Sequence, residues 1–358
     1  MTFVTCSRKS LSARAGLRIG MAIAMGVFAA AAHAMVPASE RAVLDAIWFG
    51  TGGQLPGGTD STWVNRGGWG LPVFLGISEC GSYGVTCVVD QMGQEHISGI
   101  SLEENGLTGT LPASLSDLPY LEDFDIYYNE VGGSIPTLMG LTKLKSFQVG
   151  RNLLTGIIPA LSGLTSLESF AAYDNQLTGS IPSLTDLTKL QYFGVAFNQL
   201  SGSIPSLNGL SQLQSFTASF NQLTGDIPSL SGLTNVKQFW ADYNQLTGPI
   251  PALSNLTKLE DFEVSSNRLS GHIPSLTNLT SLFVFYVNDN LLSGTVPSAP
   301  ASLAMAALCP NRLTIVSQPA IDPAWNAATN TTPWWATPFS TNACDELFYG
   351  DFEWVNGP

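Results

Sequence analysis

Apolar and polar positions along this chain return in short bursts at a fixed interval. In one burst, Leu187, Leu190, Phe193 and Val195 are spaced so that a short strand turns its apolar side inward, and Asn198 ends the strand. Asparagines recur at 105, 129, 152, 175, 198, 221, 244, 267 and 290, a first step of 24 residues followed by seven steps of 23. A further unit with Leu308 and Asn311 follows after 21 residues, giving ten units of which the last is degenerate. Such a period is the mark of a repeat array. One unit cannot bury its own apolar face, so it stacks on its neighbours, and the strands form a parallel sheet spaced about 4.8 Å apart. Phe124, Phe147, Phe170, Phe193, Phe216, Phe239, Phe262 and Phe285 then fall in one column, expected to be a packing spine.

The polar members of the period have structural causes. An asparagine pointing inward is tolerated only where backbone groups of the turn satisfy its donors and acceptor, so the asparagine column is expected to hold the turns. Gly109, Gly133, Gly156, Gly179, Gly202, Gly225, Gly248, Gly271 and Gly294 mark a bend at which a side chain would intrude. Most are followed two residues later by Ile and then Pro, which cannot donate to a ladder and suits the loosely paired convex side.

The phrase Leu-Thr/Ser-Gly-x-Ile-Pro after each asparagine, as in Asn175 to Pro182, resembles the plant-type leucine-rich repeat of receptor-like ectodomains and polygalacturonase-inhibiting proteins. The resemblance covers about residues 36 to 315. It implies an α/β repeat: a right-handed solenoid with a parallel sheet on the concave face, an irregular or 3-10 convex side and a cap at each end. The family unit usually has one residue more than the prevailing unit here; the missing residue lies on the convex side, which puts the curvature in question. Cys80-Gly81-Ser82-Tyr83-Gly84-Val85-Thr86-Cys87 is similar to the family's N-terminal cap.

The ends add compartment and charge. Arg8, Lys9, Arg14 and Arg18 precede an apolar run from Ile19 to Ala32, and Ala32-His33-Ala34 is a small-x-small site, so residues 1–34 read as a cleavable signal peptide of bacterial type. The expected division is 35–96 as N-terminal cap, 97–315 as repeats and 316–358 as C-terminal cap or tail. Ser39 is expected to cap a helix whose stripe is Val43, Leu44, Ile47 and Trp48. Past residue 34 there remain 10 bases against 27 acids, a balance of -17 that disfavours nucleic acid and anionic lipid. Cys80 with Cys87 and Cys309 with Cys344 form two sequence-separated pairs, which in an exported chain suggest disulfides.

Candidate function lies on the sheet positions one before and one, three and four after each phenylalanine, which face solvent or a partner. They hold nine aromatic residues: Tyr127, Tyr128, Tyr173, Tyr192, Phe197, Phe220, Trp240, Tyr243 and Tyr286. They also hold the acids Glu103, Glu104, Asp123, Asp125, Asp174, Asp242, Asp261, Glu263 and Asp289, against the single base Arg151. Aromatic anchors with a polar rim suit a protein or glycan interface, and the acids suit a basic partner surface or an amine. The alternative for Tyr128, Phe197, Phe220 and Tyr243 is packing against the turn. His96 and His272 stand in no nucleophile arrangement, and acid pairs such as Asp242 and Glu263 are expected by chance on an acidic face, so no catalysis, cofactor or metal is expected. The expectation is a secreted module that binds a protein through its concave face, the alternative being a binder of cell-wall polysaccharide or an inhibitor of the enzymes that degrade it.

Overall fold

A computed structural model describes residues 36–53, 64, 79–314, 320–330 and 334. The expected signal peptide and the tail residues Trp335, Phe339 and Cys344 lie outside the described residues.

The backbone is a solenoid built on one eleven-stranded sheet. Its first two strands, Val85–Val89 and Glu95–Ser101, pair antiparallel. Every later strand adds in parallel, from Asp123–Asp125 through Ser215–Thr217 and Gln238–Trp240 to Met305–Ala307. Strands in the repeats have only three residues, and the register sets each phenylalanine opposite the next: Phe193 on Phe216, Phe216 on Phe239, Phe239 on Phe262. All eight rings of this column are fully buried and stack on one another.

Two sets of ring spacings fix the sense of curvature. Core rings sit 5.3 to 5.7 Å apart. Phe197, Phe220 and Tyr243, on the sheet side at the strand ends, stack at 4.5 and 4.3 Å. Strands are separated by about 4.8 Å, so the coils spread behind the sheet and converge in front of it. The sheet face is concave.

The asparagines act between coils as well as within the turn. Asn221 Nδ2 donates to Ala218 and Ser219 carbonyls of its own coil and to the Val195 carbonyl of the preceding one, while its Oδ1 accepts the Leu200 N–H. Equivalent bonds recur at Asn175, Asn198, Asn244, Asn267 and Asn290. The preceding residue is forced into the left-handed region: φ lies between 48° and 55° at Glu104, Tyr128, Arg151, Asp174, Phe197, Phe220, Tyr243, Ser266 and Asp289. Side chains rarely adopt this conformation without such an over-determined turn. The bend glycines fall in the same region, with φ of 74° at Gly225.

The convex side is irregular, as expected. Among the described residues α-helices occur near the two ends, Ala38–Gly50 and Asp322–Thr329, and among the described repeats one 3-10 turn forms, Ala113–Asp117. Elsewhere the Leu-x-x-Leu-x-x-Leu stretch is too short for a helix and closes as successive turns, the Leu187 N–H on the Leu184 carbonyl and the Leu190 N–H on that of Leu187. Short parallel strands follow the asparagines, including Ser201–Ser203, Gln222–Asp226 and Gln245–Thr247 in one small sheet.

At the amino end, Ser39 does not cap the helix. Pro37 occupies the N-cap, its carbonyl accepting the Arg41 N–H, so Ser39 falls inside the first turn. Proline fits there because a helix start leaves N–H groups without partners anyway. The expected stripe Val43, Leu44, Ile47 and Trp48 is buried. Glu40, also buried, ties the helix to the first coil by accepting the Ile97 N–H at 2.8 Å and meeting His96 Nδ1 at 2.6 Å. Cys80 and Cys87 form a disulfide. Near the other end Cys309 is disulfide-bonded, and Trp325 lies across the last ring of the ladder, 6.3 Å from Phe285, its indole N–H on the Pro297 carbonyl.

Candidate functional site on the sheet face

The sheet face is a ladder of side chains whose columns are set by the strand register. Among the described residues it carries a hollow of about 430 Å³. Tyr173, Tyr192, Phe197, Phe220, Trp240, Asp242 and Glu263 line it, with Ala196, Ser215, Thr217, Ser219 and Gln238. Seven of the candidate aromatic and acidic residues thus meet in one place. Tyr127, Tyr243, Tyr286 and Asp289 do not line it. Tyr127 packs on Tyr173 at 6.0 Å, Tyr286 points its hydroxyl toward Met305 Sδ, and Asp289 is exposed on the rim.

The hollow exists because small residues occupy the floor. Ala196, on the coil of Tyr192, and Thr217 and Ser219, on the next, line its base, and Gly194 lies beneath the Tyr192 ring. Gly194 is required for this: a Cβ there would collide with the Tyr192 hydroxyl and ring, which lie flat across the strand. A Cβ at Gly150 would in the same way meet the Tyr173 ring at 3.0 Å. These small residues were passed over in the sequence, where only aromatic and acidic side chains marked the face.

One expectation needs correction. Asp242 does not protrude. It is 7% exposed and accepts a hydrogen bond from the Ser219 hydroxyl of the preceding coil, since the curvature and the flanking Phe220 and Trp240 recess it. The alternative of packing against the turn does not hold for three of the residues that precede the asparagines. Tyr128, Phe197 and Tyr243 are 52, 53 and 52% exposed, because the left-handed backbone turns the side chain toward solvent. Phe197, Phe220 and Tyr243 form a stacked aromatic rim bordering a second hollow of about 560 Å³ with Gln199 and Gln222.

Electrostatics set the hollow apart from the rest of the face. Burial pushes the Glu263 carboxyl up to about 7, and the neighbouring carboxylates of Asp242 and Asp261 add to the shift. Asp242 is raised by burial, opposed by its bond from Ser219. Tyr192 is raised by burial against a hydrogen bond with Thr217. No residue lining the hollow is basic, and among the described residues neither Asp242 nor Glu263 has an ion-pair partner. The Trp240 indole N–H is buried without a hydrogen-bond partner. Glu263 keeps its proton to higher pH in the folded chain than in the unfolded one. Its contribution therefore favours folding at low pH and is lost as pH rises from the ordinary carboxylate range to about 7. Thermal unfolding is expected to show a melting temperature lower at pH 8 than at pH 5, with a smaller difference in Glu263→Gln. An identical pH profile in the two proteins would contradict this placement.

The similarities to solved proteins match this geometry. No protein-family model matches the chain. It is similar to the leucine-rich-repeat ectodomain of the plant membrane receptor kinase GASSHO1/SCHENGEN3 from Arabidopsis thaliana, solved in complex with CASPARIAN STRIP INTEGRITY FACTOR 2, at 31% identity and a TM-score of 0.70 over 80% of this chain and 34% of that one. It is similar to PEPR1, solved with AtPEP1, at 26% identity and a TM-score of 0.60 over 77% of this chain and 42% of that one. A plant ice-binding protein matches at 27% identity and a TM-score of 0.53, over 71% of this chain and 85% of that one. The chain has the leucine-rich-repeat solenoid fold of these plant ectodomains. It spans well under half the length of the two receptor ectodomains. Among the described residues no helix is long and apolar enough to cross a membrane.

Proposed function

We propose that this chain is a secreted, non-catalytic recognition module that holds an extended segment of a peptide or protein along its concave face, centred on the hollow between Tyr192 and Trp240. Residues 1–34 would direct export, with the segments 35–96 and 316–358 covering the open ends of the core. The observation that carries the reading is the hollow itself: a recess with aromatic walls beside an exposed aromatic rim, at the middle of a rigid sheet. Exposed rings in such a setting bury much area on association and lose little entropy. Support also comes from the similar ectodomains solved with a bound partner, GASSHO1/SCHENGEN3 with CASPARIAN STRIP INTEGRITY FACTOR 2 and PEPR1 with AtPEP1. The test is a selection of displayed random peptides on the protein, scored against Trp240→Ala. Peptides that bind the parent at least tenfold better than the variant are expected; ligands indifferent to Trp240 would move the site elsewhere. Pectin-like chains retained only by the parent protein would make the ligand a glycan instead.

A second reading is favoured by the small convex sheets. Thr155, Thr178, Ser201 and Thr224 are exposed and hold the same slot in successive coils, offset by two residues from the pairing register of the small sheets. Thr155, Thr178 and Ser201 donate to the Gly133, Gly156 and Gly179 carbonyls of the preceding coil at 3.3, 3.2 and 3.5 Å, which holds each hydroxyl in one orientation. Regular, fixed hydroxyls suit an ordered water lattice, and the ice-binding protein is matched over most of its length. Suppression of ice growth by the purified chain is its readout.

A further inference from the structure

The hollow contains an electrostatic feature that recognition of an extended segment does not by itself explain. Asp242 is more than nine-tenths buried, Glu263 stands partly buried on the adjacent strand opposite Trp240, and no cation balances either among the described residues. Burying carboxylates without a partner is costly, and proteins usually pair them or neutralise them. The nearby basic residues are committed elsewhere. Lys237 meets Glu260 at 3.4 Å, and Arg151 meets Asp174 at 3.6 Å while lying over Tyr128.

Size and wall chemistry narrow what can supply the missing charge. Tyr192 and Trp240 stand on strands two apart, a gap of about 10 Å between backbones. The hollow of about 430 Å³ between them takes a planar side chain of a bound segment and excludes a helix, which is about 10–12 Å across. Flat aromatic walls favour a planar cation over a compact ammonium, because a guanidinium stacks on rings and offers a two-pronged set of N–H donors to a carboxylate.

We propose that the hollow is a socket for a single arginine side chain of the bound segment, its guanidinium between the Tyr192 and Trp240 rings and ion-paired with Glu263, with Asp242 adding field from the recess. This rests on the reading of the concave face as the recognition surface and names the chemistry recognised there. The titratable groups facing the site are Glu263 and Asp261 on one strand, Asp242 and the tyrosines 173 and 192 on others. Of these, Glu263 changes charge near neutral pH, since its carboxyl sits at about 7. Binding is therefore coupled to loss of that proton.

Three blocked tripeptides, glycyl-arginyl-glycine, its lysine counterpart and its citrulline counterpart, titrated into the full chain at pH 8 provide the test. Citrulline keeps the shape of arginine and lacks the charge. The arginine peptide is expected to bind at least tenfold more tightly than the citrulline peptide, with lysine between them. Its affinity should fall about a hundredfold from pH 8 to pH 5, as expected for one required deprotonation near 7. Glu263→Gln should bring arginine to the citrulline level and flatten the pH profile, whereas Asp186→Asn, an exposed acid away from the sheet positions and the hollow, should change neither. Equal binding of arginine and citrulline peptides, binding of neither, or a pH profile unaltered in Glu263→Gln would overturn the socket. Selected peptides that need Trp240 but carry no arginine would sink the socket alone and leave the recognition face standing. Ligands that ignore Trp240 would sink both.

Discussion

Phe216→Ala is expected to lower the stability of the protein by about 3–5 kcal/mol, the cost of emptying a large aromatic site in a core. Phe216 is fully buried between Phe193 at 5.7 Å and Phe239 at 5.3 Å, so its removal strips packing from two coil interfaces together. In a solenoid each coil is stabilised by its neighbours, and a weak coil in the middle uncouples the halves. Denaturant unfolding followed by circular dichroism should shift to lower concentration and broaden or split into two steps. Phe197→Ala is the matched control. Phe197 is an aromatic residue of the same array, half exposed on the rim, and its loss should cost about 1 kcal/mol or less. Equal losses in the two variants would contradict the assignment of one column to the core and the other to the surface.

Gly194→Val is expected to abolish ligand binding with a much smaller effect on folding. Gly194 lies under the ring of Tyr192, which lines the hollow, and any side chain there must displace that ring and so reshape the space a ligand would use. The backbone does not require glycine at this position, since Gly194 is absent from the residues with positive φ. Valine suits a strand, and its added volume falls on the open side of the sheet, away from the phenylalanine column. Affinity for peptides selected on the parent protein should drop at least thirtyfold, and the melting temperature should move by only a few degrees. Full affinity in Gly194→Val would place the ligand off the hollow.

The fold was legible in the sequence because its causes repeat. The phenylalanine column, the asparagine turns and the glycine bends each occupy one slot of a fixed period, so a single unit's physics could be read from many copies. The ends, which occur once, were less legible: Ser39 looks like a cap, but Pro37 starts the helix two residues earlier than a serine cap would. Half of the site was visible as aromatic and acidic side chains at outward positions. Its depth was not, because depth comes from what is missing. Ala196 and Ser219 carry no chemistry of their own, and only the juxtaposition of consecutive coils turns them into a floor beneath Tyr192 and Trp240. The exposure of Phe197 and Tyr243 depends in turn on a left-handed backbone at ordinary side-chain-bearing residues, a conformation imposed by the asparagine bonds of the adjoining coils. Asp242 was misjudged for a related reason: strand alternation gives the face a side chain occupies, whereas curvature and bulky neighbours decide whether it reaches solvent.

The most direct test is amide hydrogen exchange of the protein with and without a peptide selected on it. The expected result is added protection confined to the strands under the hollow, at residues 192–196, 215–219 and 238–242, with none at the convex column from Thr155 to Thr224. Protection along that column or in the C-terminal segment, with the hollow unchanged, would contradict recognition through the concave face.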